Sequence, residues 1–199
     1  MISAILLAAG ESRRMGERNK LLLPFKQKTI IEHIAETLHH SDAGEVIVVV
    51  GHQAEKVRKA LPLENLIIVE NPHFQDGLTT SIHAGIQAAA AHSDGFMICL
   101  SDLPFIEANE FNHLINQFQN ALRKFPQQIQ VPVFQGKRGN PVIFSAYYRN
   151  EILEHKEQMG CKGIVRQNRE QVLEVEMTLN HILMDIDTAE DYHEALQNL

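Results

Sequence analysis

Four short apolar runs, Ile2 to Leu7, Glu45 to Val50, Leu66 to Glu70 and Gly95 to Leu100, alternate with segments of helical spacing, and this alternation limits the fold more than any other feature. Strands apolar on both faces must be covered on both, and parallel neighbours need crossover connections. The pattern therefore predicts an α/β fold: a doubly wound, mostly parallel sheet covered by helices on both faces. Between the runs, Thr29 to Leu38 sets Ile30, Ile31, Ile34, Ala35 and Leu38 on one helical face. Ala54 to Leu61 reads as a short helix stopped by Pro62, and Leu78 to Ala91 as a helix whose first turn holds Thr79, Thr80 and Ser81.

Beyond residue 105 the pattern loosens. Glu110 to Leu122 predicts a helix, and Gln130 to Phe134 and Pro141 to Phe144 predict strands flanking Gln135 to Asn140, a segment read either as a substrate wall or as a tight turn. Gln171 to Met177 and His181 to Met184 are further strand candidates, and Ala189 to Leu196 is a helix begun near Thr188.

Sheets of this kind bind ligands outside the carboxyl ends of their strands. The first run opens there into Ala8-Ala9-Gly10-Glu11-Ser12-Arg13-Arg14-Met15-Gly16, followed by Lys20 ahead of Leu21-Leu22-Leu23-Pro24. The spacing is neither a Walker A loop nor the dinucleotide fingerprint. Gly10 and Gly16 permit a tight turn with backbone amides left for a ligand, Arg13 and Arg14 add forked donors, and Lys20 adds a compact charge. The set reads as a phosphate-binding loop, in preference to an ordinary turn with solvated cations.

Ser101-Asp102-Leu103-Pro104 follows the fourth run, which puts Asp102 on the same rim. Asp185-Ile186-Asp187-Thr188 follows the last strand candidate. Hard divalent cations are often held by one or two carboxylates together with substrate phosphates, and Asp102 and Asp187 form a candidate pair. For Asp187 helix capping is an equal reading, with Thr188 as the other candidate cap. Asp76-Gly77-Leu78-Thr79-Thr80-Ser81 opens a helix, where amides and hydroxyls meet an anion or a base edge and also serve as caps.

A length of 199 residues suits a single domain with a substantial core. The net charge of −7 argues against general attraction to nucleic acid or anionic membranes, so any bound anion must be captured locally. No apolar run approaches bilayer length, and Met1-Ile2-Ser3 leads straight into a strand, so a cytoplasmic location is expected. Cys99 and Cys161 are far apart and read as reduced thiols, Cys99 as a core residue. The 11 histidines show no metal-ligand spacing.

Taken in order, Leu7 to Gly16, Asn19 to Pro24, Gly77 to Ser81, Ser101 to Pro104, Arg138-Gly139-Asn140-Pro141 and Asp185 to Thr188 make the chain resemble the MobA-like nucleotidyltransferases, most nearly their molybdenum cofactor cytidylyltransferase branch. The resemblance implies a single nucleotidyltransferase domain over 1–199 of Rossmann-like, three-layer α/β/α fold around a mostly parallel central sheet, like the nucleotide-diphospho-sugar transferases, with about 1–105 binding the NTP and about 106–199 contributing the acceptor site. It implies transfer of CMP from CTP to the terminal phosphate of molybdopterin or the molybdenum cofactor, with Mg²⁺ (or Mn²⁺) and release of pyrophosphate. CTP is favoured because GTP-specific members usually carry Leu-Ala-Gly-Gly where this chain has Leu7-Ala8-Ala9-Gly10.

The roles implied are Lys20, Arg13 and Asp102 in catalysis, and Asp102 and Asp187 on the metal. Leu7, Ala8, Ala9, Gly10, Ser12, Arg13 and Lys20 would hold the nucleotide, joined by Gly77, Thr80, Ser81 and Ser101. Arg138, Gly139, Asn140 and Pro141 would meet the acceptor. Two departures from the branch, Asn140 for a common histidine and Cys161 for a common acid, both fall on the acceptor side. A molybdenum hydroxylase or its maturation chaperone is the implied protein partner, with no nucleic acid or membrane. The rival readings are a GTP-dependent molybdopterin guanylyltransferase, a sugar- or polyol-phosphate cytidylyltransferase, and a non-catalytic protein that binds or delivers the cofactor.

Overall fold

Strand β1 (Ile2–Ala8) is buried at every position, and the layers are built around it. The computed structural model describes residues 1–15, 18–61 and 64–197, and of Arg13 only the backbone. Gly16 and Pro62, to which the sequence assigned a loop turn and a helix stop, lie outside the described residues. After β1 come a small hairpin of β2 (Pro24–Phe25) and β3 (Lys28–Thr29), then α1 (Ile30–His39), β4 (Glu45–Val50), α2 (Ala54–Lys59) and β5 (Leu66–Glu70). Next are α3 (Leu78–Ala88), β6 (Gly95–Leu100), α4 (Ala108–Leu122), β7 (Ile129–Phe134), β8 (Lys137–Arg138) and β9 (Val142–Ser145). The remaining elements are α5 (Arg149–Glu154), α6 (Lys162–Gln167), β10 (Val172–Glu176) and α7 (Ala189–Gln197).

The main sheet runs β10-β7-β9-β6-β1-β4-β5, with β8 paired to β7. β1 is parallel to both β4 and β6, β4 to β5, and β10 to β7. Only β9 on that path runs against its neighbours, β6 and β7. The sheet is mostly parallel, as expected. The strand order reverses across β1, so the crevice beyond Ala8 and Leu100 lies at a topological switch point, where such sheets bind ligands.

Side chains alternate across the sheet. Ala4, Leu6, Val46, Val48 and Met97 pack under Ile31, Ile34 and Leu38 of α1, Val57 of α2 and Phe111 and Leu114 of α4. Ile5, Leu7, Ile47, Val49 and Ile98 pack against Ile82 and Ile86 of α3, Ile152 of α5 and Ile164 of α6. Cys99 belongs to the first layer and Cys161 to the second, and both are free and buried, so the sheet itself keeps the thiols from meeting. Burial pushes the Cys161 thiol up to about 12. Among the described residues, no helix is long and apolar enough to cross a membrane.

The local signals work as their chemistry dictates. Thr29 Oγ1 accepts from Glu32 N at 3.3 Å and starts α1 one residue later than the periodicity suggests. Glu107 and Glu110 close a reciprocal capping box, which starts α4 at Ala108 rather than Glu110. Gln135 and Gly136, both at positive φ, turn the chain from β7 into β8, so the candidate wall is a tight hairpin. One expectation fails: His181 to Met184 is not a strand, because Asn180–Leu183 forms a 3₁₀ turn. This stretch crosses the sheet end and is fixed at single points, Asn140 N to Ile182 O at 3.2 Å and Ile186 N to Asp102 O at 2.8 Å, with no neighbour offering a ladder.

α3 lies close on β1 because Gly85 faces the sheet: a Cβ there would overlap Ile5 Cγ2 and come within 3.2 Å of Val49 Cγ2. Gly85→Ala should therefore destabilise the protein by about 1–3 kcal/mol through overpacking, although alanine is the better helix former. Urea unfolding checks this, and a stabilised variant would mean that α3 can move off the sheet freely.

Candidate active site

The chain leaves β1 through Ala9, buried, and Gly10, exposed. Among the described residues, a Cβ on Gly10 would meet no atom within 4 Å, so the backbone here borders open space. Ala9 is fixed from below by His52 N donating to its carbonyl at 3.1 Å, and its methyl group packs where a Cβ on Gly51 would otherwise stand. Ser12 sits at φ 53°, its carbonyl accepts from Met15 N at 2.8 Å, and its hydroxyl accepts from Lys20 N at 3.2 Å. Asn19, buried, accepts from Leu21 N at 3.1 Å and starts the 3₁₀ turn Lys20–Leu22. The loop is thus cinched on itself, and the Lys20 side chain is sent across the ends of β1 and β6.

Lys20 Nζ donates to Asp102 Oδ2 at 3.0 Å, to Asp187 Oδ1 at 2.9 Å and to the Ile186 carbonyl at 2.8 Å. The Lys20 side chain is only 13% exposed, against 21% for Asp102 and 31% for Asp187, so these pairs are partly shielded from water. The second Asp187 oxygen accepts from Arg14, whose side chain is mostly in solvent. Asp102 Oδ1 is buried and has no hydrogen-bond partner among the described residues.

The capping question at the 187–188 pair is settled by geometry. Asp191 N donates to Thr188 Oγ1 at 3.2 Å, and Asp191 Oδ2 accepts from Thr188 N at 2.7 Å and Asp187 N at 3.1 Å. Thr188 is the cap of α7, which leaves the Asp187 carboxylate for the crevice. Burial alone would raise the Asp187 carboxyl, but the Lys20 hydrogen bond, the Lys20 charge and Arg14 outweigh it and hold it below its ordinary 3.8. Asp185 is shifted the other way, first by burial and then by the Asp102 and Asp187 charges.

Arg14, Lys20, Asp102 and Asp187 line a cavity of about 480 Å³. Of the anticipated nucleotide contacts, Leu7, Ala9, Gly10 and Ser12 form its floor and near wall, with Lys20, Ser101 and Asp102 at the sheet end. Gly77 and Ser81 complete the far wall at the start of α3. Ala8 is buried and packs in the layer with α1, and Thr80 lines a neighbouring groove, with its hydroxyl directed at the His73 and Gly77 carbonyls, each at 2.9 Å. The start of α3 is partly occupied: Leu78 N donates to Gln158 O at 2.9 Å, Thr79 Oγ1 donates to Glu157 O, and Gly160 N donates to Thr79 Oγ1 at 3.1 Å.

Arg138, Gly139, Asn140 and Pro141 are not among the residues lining this cavity. Arg138 pairs with Glu174 at 2.7 Å on the outer face of the β7–β8 hairpin, and Gly139 is pressed against Ile182. Phe74 and Gln75, which the sequence reading passed over, do line it, and so does Arg14. The position of Phe74 and Gln75 after β5, on the carboxyl rim, was the available signal.

Asp102 and Asp187 supply the oxygen donors a hard divalent cation takes: one oxygen of each meets at the Lys20 ammonium, and Asp102 Oδ1 is a further buried oxygen with no partner among the described residues. Among the described residues no group of three or more acidic, histidine or cysteine side chains forms a complete cage. Oxygens from a bound substrate would have to fill the rest of the shell. The site thus gathers two cations and a carboxylate pair around one cleft, which is equipment for handling a polyphosphate.

A model of the MobA-like NTP transferase domain matches residues 4–172. The nicotine blue oxidoreductase of Paenarthrobacter nicotinovorans is 27% identical over 203 residues, covering 98% of this chain and 96% of that protein. The molybdenum cofactor cytidylyltransferase of Escherichia coli is 24% identical over 193 residues, covering 96% and 93%. A solved nucleotidyl transferase from Methanothermobacter shares the fold with a TM-score of 0.84 at 22% identity, over 100% of this chain and 99% of that one. Rv0371c of Mycobacterium tuberculosis, solved in complex with manganese, matches with a TM-score of 0.75 at 22% identity, over 100% and 99%.

The lowered Asp187 carboxyl has a measurable consequence. Its pairing stabilises the fold above the ordinary carboxyl value of 3.8 and is lost as pH falls through the lower folded value. Asp187→Asn should be destabilising near pH 7, and the gap to wild type should close as unfolding is measured from about pH 7 toward about pH 3. A gap that stays constant would show that the ion pairs contribute nothing.

Proposed function

The chain belongs to the MobA-like NTP transferase family, and from that premise we propose that it transfers CMP from CTP to the terminal phosphate of molybdopterin or the molybdenum cofactor, releasing pyrophosphate and leaving the cytosine dinucleotide form. The observation that carries this reading is the Lys20 ammonium suspended between Asp102 and Asp187 at the mouth of a cleft walled by Ala9 and Gly10. The resemblance of Leu7-Ala8-Ala9-Gly10 to CTP-using relatives supports cytosine, as does the E. coli relative of that activity.

In this reading the Ala9–Gly10 backbone faces the base and sugar, because the space beside Gly10 is open. Ser12, Arg13, Arg14 and the loop amides hold the β- and γ-phosphates. Lys20 reaches the α-phosphate, where negative charge builds as an acceptor phosphate oxygen attacks. A divalent ion held by Asp102 and Asp187, Mg²⁺ or the Mn²⁺ seen with the mycobacterial neighbour, would supply charge neutralisation and alignment at that phosphate. The new bond joins the acceptor oxygen to the α-phosphorus, the α–β bridging bond breaks, and pyrophosphate leaves with the electron pair. The acceptor phosphate is already an anion at neutral pH, so no general base is needed, and positioning and electrostatics supply the rate. Arg138 to Pro141 would reach the acceptor only where it extends beyond the lined cleft.

A second reading, oxidoreduction, follows the Paenarthrobacter relative, whose identity extends over nearly the whole chain. It gives no role to two carboxylates closing on a lysine, which phosphoryl transfer does. Pyrophosphate release with CTP or GTP, Mg²⁺ and molybdenum cofactor, beside a turnover assay with nicotine blue, separates the readings. CTP-dependent release is the expected result, and release with GTP alone would transfer the assignment to a guanylyltransferase. Nucleotide binding without release for any acceptor would leave a carrier.

Lys20→Ala and Asp102→Ala should each lower pyrophosphate release by roughly 100-fold or more, the scale of removing one preorganised charge from a transition state, while thermal melting shows both folded. Wild-type rates in both purified variants would overturn these roles.

A further inference from the structure

The three donors of the Lys20 ammonium are all engaged, by Asp102 Oδ2, Asp187 Oδ1 and the Ile186 carbonyl. None is spare for a phosphate. The carboxylates are equally committed: Lys20 takes one oxygen of each, and Arg14 takes the second oxygen of Asp187. Of their four oxygens only Asp102 Oδ1 has no partner among the described residues, and it is buried. A free divalent cation arriving at this site therefore meets two carboxylates already neutralised by an internal ammonium and a guanidinium.

We infer that Lys20, helped by Arg14, locks the carboxylate pair in the free protein, and that the lock opens only when nucleotide phosphates draw the cations away. The inference rests on the nucleotidyltransferase reading and adds an order of events to it. Opening for metal alone strands a lysine with little exposure beside an incoming cation. Opening for nucleotide alone leaves two partly shielded carboxylates facing a polyphosphate. Either half-exchange leaves unpaired charge in a cleft of reduced solvent access, which is costly. Exchanging both sets together, cations to phosphates and carboxylates to the divalent ion, leaves every charge with a partner. Metal and nucleotide binding are then coupled, and by linkage each strengthens the other by the same factor.

The lock predicts an effect opposite in sign to loss of an ordinary supporting contact. Removing Lys20 should make the free protein bind metal better. Mn²⁺ titration of the nucleotide-free protein, read by the electron paramagnetic resonance of unbound Mn²⁺, should give Lys20→Met an affinity roughly tenfold above wild type, within the range usual for coupled sites. Arg14→Gln, at an exposed position where folding is not at risk, should shift in the same direction by a smaller factor. If both variants bind Mn²⁺ no better than wild type, the lock is overturned. Should Lys20→Met fail to fold, Arg14→Gln decides alone.

The pyrophosphate assay separates this result from the functional reading. Turnover with CTP in a protein whose variants gain no Mn²⁺ affinity removes the lock and keeps the transferase. Gained Mn²⁺ affinity in a protein that turns over no nucleotide keeps the locked carboxylates and removes the chemistry.

Discussion

The burial of β1 on both faces is the constraint on which the rest of the molecule depends. With β4 on one side, β6 on the other and a helical layer above and below, this strand has no freedom to shift register: a slip of one residue would send Ala4 and Leu6 into the layer built for Ile5 and Leu7. The first backbone atoms with no strand to pair with are those beyond Ala8, and they emerge where the sheet changes direction. The loop proposed to hold phosphates begins where this fully buried strand ends.

Lys20 converts that position into chemistry. Its ammonium joins segments 82 and 167 residues away in sequence, so the loop after β1, the loop after β6 and the approach to α7 are held as one rim. Exposed ion pairs contribute little to stability, but these are largely withdrawn from solvent and mutually arranged. The same interactions that organise the rim make it electrically quiet before a ligand arrives.

Much of this was legible in the chain, for identifiable reasons. The apolar face of α1 is read directly from its periodicity, because Ile30, Ile31, Ile34, Ala35 and Leu38 are the residues it buries. Asp102 was legible from its place after a buried strand. What was hidden depended on contacts between distant segments. His181 to Met184 looked like a strand because it is apolar, yet only Ile182 among them is fully buried, wedged against Gly139. The β2–β3 hairpin was missed because Lys26 and Gln27 take positive φ without the asparagine or glycine that advertises such a turn. Helices α5 and α6 span only six residues each, too short to show a period. The ambiguity at Asp187 had an answer in the sequence, since Thr188 followed three residues later by Asp191 is the spacing of a capping box.

That capping box has a consequence for ion choice. Because Asp191 holds the Asp187 and Thr188 amides and Thr188 closes the helix, Asp187 is carried on a braced backbone rather than on a swinging loop. Mg²⁺ demands near-ideal octahedral geometry with short bonds, whereas Ca²⁺ tolerates longer and less regular ones. In the proposed role of Asp187 as a metal ligand, a carboxylate whose reach is set by a helix cap would favour the small, exacting ion. Ionic radius would then be discriminated at the first turn of α7, by residues that do not themselves touch the ion.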